Sequence, residues 1–125
     1  MIAKNHITAV LSAVPQIIAT VPEYARLGVQ QKIIDCQDCP TFDMSPFLEA
    51  AADFINEGLK TGNALVHCAA GISRSTTCLC AYYIKHRGMS LDEALVLIRS
   101  KRPIASPNSG FMNQLRAYEK KCRGK

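Results

Sequence analysis

No run of apolar residues in this chain approaches the ~20 that a helix needs to cross a bilayer. The N-terminus, Met1-Ile2-Ala3-Lys4-Asn5-His6, lacks the long apolar stretch of a secretory signal, and no glycine follows the methionine to accept a myristoyl group. These absences lead us to expect a cytoplasmic protein, present in the nucleus as well, with no membrane partner. Aromatic residues make up 6% of the chain and do not interleave with basic ones, so no nucleic-acid partner is expected. Repeats, low-complexity tracts and linkers are missing too. With 125 residues and 48% hydrophobic content, the chain is expected to be one domain, 1–125, large enough for a real core.

Cysteine is not scarce, but its setting excludes a disulfide scaffold. Six cysteines in a chain with no secretion signal read as thiols. Cys36-Gln37-Asp38-Cys39 spells C-x-x-C, yet a zinc site wants a second pair or histidines at ligand spacing, and neither is there. No metal and no cofactor are expected. Cys78 and Cys80 read as core packing within a helix. The net charge of +5 is accounted for by Lys120, Lys121, Arg123 and Lys125 as a solvated tail, although a positive field also favours encounter with anions.

Strands alternate with helices along the chain. The first strand is predicted over His6–Val10, then a connection over Pro15–Gly28 holding a short helix at Glu23–Leu27, then a second strand over Gln31–Ile34. A helix over Pro46–Lys60, capped by Ser45 with proline at N1, precedes a short buried strand, Ala64-Leu65-Val66, that ends at His67. Three helices follow: Ser73–Arg87, Leu91–Lys101 with a Ser90/Glu93 capping box, and Pro107–Lys121 capped by Ser106. This alternation predicts an α/β fold, a mostly parallel central sheet flanked by helices, with ligands bound at the strands' carboxyl ends.

Most of the chemistry lies in His67-Cys68-Ala69-Ala70-Gly71-Ile72-Ser73-Arg74-Ser75. Of the six cysteines, Cys68 alone has an arginine six positions on, and it sits between an apolar strand and a helix start. A loop there leaves backbone N–H groups free to bind an anion, and the helix dipole adds to the field. Amides from Ala69, Ala70, Gly71, Ile72, Ser73 and Arg74 are placed to ring a phosphate, with the fork of Arg74 taking two oxygens. The same field lowers a thiol pKa from about 8.5 to roughly 3.5–7.5. Cys68 then becomes a thiolate nucleophile, and the oxidation-sensitive cysteine of the chain, with any other cysteine that reaches it as a resolving partner. A thiolate needs no base, so His67 either holds the loop by bonding to backbone or is a satisfied core histidine. The Ser75 hydroxyl either stabilises the sulfur as a leaving group or bonds locally at the helix start.

These residues resemble the signature of the cysteine-dependent protein tyrosine phosphatase superfamily. More closely, Ala70-Gly71-Ile72-Ser73-Arg74-Ser75 is similar to the dual-specificity phosphatases, in particular the branch with the MAP-kinase phosphatases. Ala81-Tyr82-Tyr83, Ser90-Leu91-Asp92-Glu93-Ala94, Arg102-Pro103, Ser106-Pro107-Asn108, Gly110-Phe111 and Gln114-Leu115 match that family in order and spacing, as do Ala51, Asp53, Phe54 and Ile55. The match runs from about His6 to the C-terminus. In the family a β-hairpin and a helix precede the strand near His6, so those elements are expected to be absent, with consequences for the pocket rim and for stability.

The resemblance implies a protein tyrosine phosphatase-like fold and a phosphatase acting on phosphotyrosine and phosphoserine/threonine through a cysteinyl-phosphate. It implies loop support from His67 and Asn108, and a phosphorylated protein as partner, a MAP kinase among the candidates. It also implies an aspartic acid on a mobile loop before the central helix. Asp35, Asp38 and Asp43 lie in that stretch. Asp43 fits a helix-entry role. Ungapped counting back from Ala51 favours Asp38, and Asp35 at the strand end is the rival. Two other functions stay open. One is a phosphatase of phosphoinositides, RNA 5′-phosphates or phosphoglucans, although the neutral Ala69, Ala70 and Ile72 weigh against polyanionic substrates. The other is a weakly active adaptor that binds phospho-residues. No separate docking domain is expected.

Overall fold

The computed structural model describes residues 7–13, 28–34, 39–67 and 73–123. Strand β1 (Ile7–Ser12) pairs in parallel with β2 (Gln30–Ile33) on one side and with β3 (Asn63–His67) on the other, giving the sheet order β2-β1-β3. Helix α1 (Ser45–Thr61) packs on β1 and β3 and α2 (Arg74–Arg87) on β3, while α3 (Leu91–Lys101) and α4 (Ser109–Arg123) pack against α2. The described strands are all parallel and the helices flank them, the architecture that the alternating pattern predicts.

β1 is the core strand: Ala9, Val10 and Leu11 are buried. Helix α1 lies against it because Leu48, Ala51, Ala52, Ile55 and Gly58 recur at three- and four-residue steps and form one apolar stripe. Contact is closest at Gly58, where a Cβ would stand 2.6 Å from that of Ala9. The glycine lets the helix seat on the strand. Helix α2 packs against α1, β3, α3 and α4, and Cys78 and Cys80 are buried in it as core residues. Gly88 ends α2 at a left-handed φ of 65°. Phe111 and Leu115 of α4 and Leu91 of α3 complete one continuous apolar cluster.

Several boundaries differ from the sequence reading, each for a local reason. β1 continues past Val10 to Ser12, since its neighbours on both sides supply partners that far. Ser45 is not the cap of α1. It is helical, and its N–H is taken at 3.0 Å by Oδ1 of Asp43, which confirms Asp43 as the helix-entry carboxylate. Ser106 does not cap α4 either. The helix begins at Ser109, and Oδ1 of Asn108 accepts from the Phe111 N–H at 2.8 Å. Strand β3 is less buried than its apolar letters imply, with Leu65 36% exposed. Lys120, Lys121 and Arg123 belong to the last turn of α4, where cations favour the helix dipole, and not to a loose tail. The Ser90/Glu93 capping box is present in both directions. The helix predicted at Glu23–Leu27 and the strand start at His6 lie outside the described residues.

Phe111 is fully buried in this cluster, whereas Val96 on α3 is 71% exposed. Phe111→Ala is expected to destabilise the fold by about 3–5 kcal/mol, and Val96→Ala by less than about 0.5 kcal/mol. Urea denaturation of the two variants checks this, and equal losses would contradict the assignment of the core.

Candidate active site

Parallel pairing brings three strand ends to one edge of the sheet. Ser12 stands opposite Ile33 on one side and opposite His67 on the other. Two further backbone bonds, Ala13 N–H to His67 C=O and Ile34 N–H to Ser12 C=O, both 2.9 Å, extend the ladders past the strands. After β1 the chain visits β2 and then crosses to β3 on the opposite side. In open parallel sheets, ligands bind at the carboxyl ends where the connections diverge in this way.

Six residues separate the last residue of β3 from the first residue of α2. Of these, Cys68, Ala69, Ala70, Gly71 and Ile72 lie outside the described residues, as do Asp35 and Asp38. Ser73, Arg74, Ser75, His67 and Asn108 are described: His67 closes β3 at this edge, Ser73 and Asn108 are hydrogen-bonded to each other, and Arg74 and Ser75 open α2. Arg74 is the first residue of the 14-residue α2 and only 8% exposed. Its full charge therefore adds to the partial positive charge of the helix N-terminus, in surroundings that screen it poorly. Ser75, Thr76 and Thr77 behind it are buried as well, and the Thr77 hydroxyl donates to the Ser73 carbonyl at 2.8 Å.

Asn108 joins two helix starts. Its backbone N–H donates to Ser73 Oγ at 2.9 Å, while its side chain caps α4. The approach to Asn108 is itself fastened, because Arg99 Nε donates to the Ala105 carbonyl at 2.8 Å. The described contact of the His67 ring is with a side chain: its Nε2 is 2.7 Å from Ser12 Oγ, to which Gln31 donates at 3.0 Å. Burial holds the imidazole below its ordinary pKa, which favours the neutral ring.

A second set of contacts anchors the chain just beyond residues 35–38. Gln114 of α4 donates to the Phe42 carbonyl at 2.9 Å and accepts from the Met44 N–H at 2.6 Å. Gly110 sits so close to Pro40 that a Cβ there would overlap the Pro40 carbonyl. Both aspartates considered as the acid thus precede a segment pinned to α4. Cys39, the second cysteine of the C-x-x-C pair, has its sulfur 3.1 Å from Thr41 Oγ1. Burial pushes the Cys80 thiol up to about 12, so it is inert at neutral pH. Among the described residues, no three His, Cys, Asp or Glu side chains form a metal-binding group, and no helix is long and apolar enough to cross a membrane.

The sequence reading missed Ser12, Gln31, Gly110 and Gln114 as parts of this site. Ser12 carried a signal, being a polar residue directly after the apolar run Ala9-Val10-Leu11. Gly110 and Gln114 stood out only through the family resemblance, with no contact implied, and Gln31 carried no signal, since these contacts are distant in sequence.

The lowered imidazole pKa has a stability consequence. As pH falls through about 6.5, the unfolded chain takes up a proton at residue 67 that the folded protein resists, so stability declines. His67→Gln is expected to flatten that decline. Thermal melts of both proteins between about pH 5 and 7.5 check it, and identical slopes would contradict it.

Residues 1–121 match the family model described as "Dual specificity phosphatase, catalytic domain". The chain is 40% identical over 132 residues to "Dual specificity protein phosphatase 26" of Bos taurus, covering 98% of this chain and 62% of that protein. It is 46% identical over 100 residues to "MAP kinase phosphatase with leucine-rich repeats protein 3" of Dictyostelium discoideum, covering 80% of this chain and 12% of that one. The chain therefore spans less than two thirds of the length of either relative. Among solved structures, human DUSP28 superimposes with a TM-score of 0.89 at 31% identity, covering 98% of this chain and 84% of that one.

Proposed function

The chain belongs to the dual specificity phosphatase catalytic-domain family, and from that premise we propose that it is a phosphatase of phosphotyrosine and phosphoserine/threonine in proteins. One observation carries the reading. A 14-residue helix starts with a buried arginine six residues past a cysteine, and that cysteine directly follows the last residue of a strand whose carboxyl end faces the ligand-binding edge of a parallel sheet.

In the proposed reaction the Cys68 thiolate attacks phosphorus and the bond to the ester oxygen breaks. Arg74 and the amides of residues 69–74 hold the transferring group, whose charge is spread over its oxygens. Asp38 gives its proton to the leaving oxygen. Water, deprotonated by Asp38, then attacks the cysteinyl-phosphate and expels the thiolate, which the Ser75 hydroxyl stabilises. His67 and Asn108 support the loop, and neither exchanges a proton. No step calls for a metal.

The neutral Ala69, Ala70 and Ile72 favour a singly phosphorylated side chain over a polyanionic inositol or glucan. The similarity to a MAP kinase phosphatase favours a MAP kinase among the protein substrates. A cytoplasmic or nuclear location is part of the same proposal.

Cys68→Ser is expected to lose turnover of p-nitrophenyl phosphate while still binding vanadate, and normal turnover by this variant would refute the assigned nucleophile. With phosphothreonine peptides, whose alkoxide leaving group needs a proton, Asp38→Asn is expected to lower kcat about 10²–10⁴-fold. Asp35→Asn should stay near the parent rate. Reversal of the two aspartate results would transfer the acid role to Asp35.

A further inference from the structure

Ser12 is the last residue of β1 and is fully buried. It stands directly opposite His67, and Gln31 lies two residues before its partner in β2, so the three side chains share one face of the sheet. Ser12 Oγ is 3.0 Å from Gln31 Nε2 and 2.7 Å from His67 Nε2. One side chain comes from each strand.

The direction of these bonds follows from what each group can do. A side-chain NH2 only donates, so Gln31 occupies a lone pair of the serine oxygen. A hydroxyl has a single hydrogen, and we assign it to the shorter contact, at 2.7 Å, with His67 Nε2 as the acceptor. That assignment makes Nε2 an acceptor and leaves the ring hydrogen on Nδ1. Burial acts in the same sense, because an imidazolium would have to turn Nε2 into a donor. The backbone is fastened at the same point: the His67 carbonyl accepts from Ala13 N–H at 2.9 Å.

We propose that Gln31 and Ser12 form a relay across three strands that holds His67 as the neutral Nδ1–H tautomer, which makes Ser12 a positioning residue for the segment beginning at Cys68. This rests on the phosphatase reading of Cys68. A ring held this way brings one N–H donor and no positive charge to the residue before the nucleophile. The charge that stabilises the thiolate then comes from Arg74 and the start of α2, and the orientation from the end of β1. A ring that instead donates Nε2–H to Ser12 Oγ, whether Gln31 also donates to that oxygen or its flipped amide accepts from it, has the opposite tautomer, so the two directions are experimentally separable.

The test is nitrogen-15 NMR of the imidazole, assigned by the signal lost in His67→Gln, together with steady-state hydrolysis of p-nitrophenyl phosphate. Expected is a ring protonated on Nδ1 at neutral pH in the parent protein. Ser12→Ala should mix the tautomers and lower kcat about tenfold, the worth of one hydrogen bond, with KM moving less than about twofold. Ser12→Thr, which keeps the hydroxyl, should restore both signals. If Ser12→Ala does not fold, Gln31→Leu gives the same comparison by removing the donor that orients the hydroxyl. A parent ring protonated on Nε2, or a Ser12→Ala protein with unchanged tautomer and kcat, overturns the relay. A parent protein with the Nδ1–H ring that hydrolyses nothing removes the phosphatase reading, and with it the positioning role, while the tautomer assignment stands.

Discussion

β1 has a parallel partner on each of its edges, and what the chain gathers at one end of the sheet follows from that pairing. Parallel strands in register end together, so Ser12, Ile33 and His67 form a row, and the segments that leave them start from a common line. The pairing survives because β1 is buried and because Gly58 lets α1 approach to the distance of a bare backbone. Antiparallel pairing of β3 would carry His67 to the opposite end of the sheet.

Electrostatics at this edge divide between two sources with different tasks. Arg74 and the N-terminus of α2 supply positive charge in a poorly screened place, which suits both a bound phosphate and an anionic sulfur. His67 supplies none, since burial disfavours its cation. Around these, neutral hydrogen bonds do the positioning: Ser73 to Asn108, Asn108 to the start of α4, Gln114 to the segment after the candidate acids, and Ser12 to His67. A site built this way keeps its charge for the ligand.

Much of this was legible in the letters, and the limits have physical causes. Periodic apolar residues marked α1, α3 and α4, and the Ser90/Glu93 capping box marked the start of α3 to the residue. The strand–helix junction at His67–Arg74 was legible because an apolar strand ends there and a glycine, a thiol and an arginine coincide within the next seven residues. Caps were less reliable. Ser45 and Ser106 have the right chemistry, but Asp43 and Asn108 reach the orphan N–H groups instead, a choice made by loop geometry that a local pattern does not encode. Contacts from Gln114 to Phe42 and from Gly110 to Pro40 span some 70 residues and are set by how α4 docks. Ser12 was readable as a polar residue closing an apolar strand, but only the pairing of β1 with β3 shows that it faces a histidine.

The proposed chemistry depends on Cys68 being held as a thiolate by the field around it. Iodoacetate labelling of that residue, followed by mass spectrometry from about pH 5 to about pH 9 with glutathione as reference, reads this directly. The expected labelling midpoint lies at least about one pH unit below that of glutathione, while Cys80, pushed up to about 12 by burial, stays unlabelled. A midpoint for Cys68 at or above the ordinary thiol value of about 8.5 would contradict it.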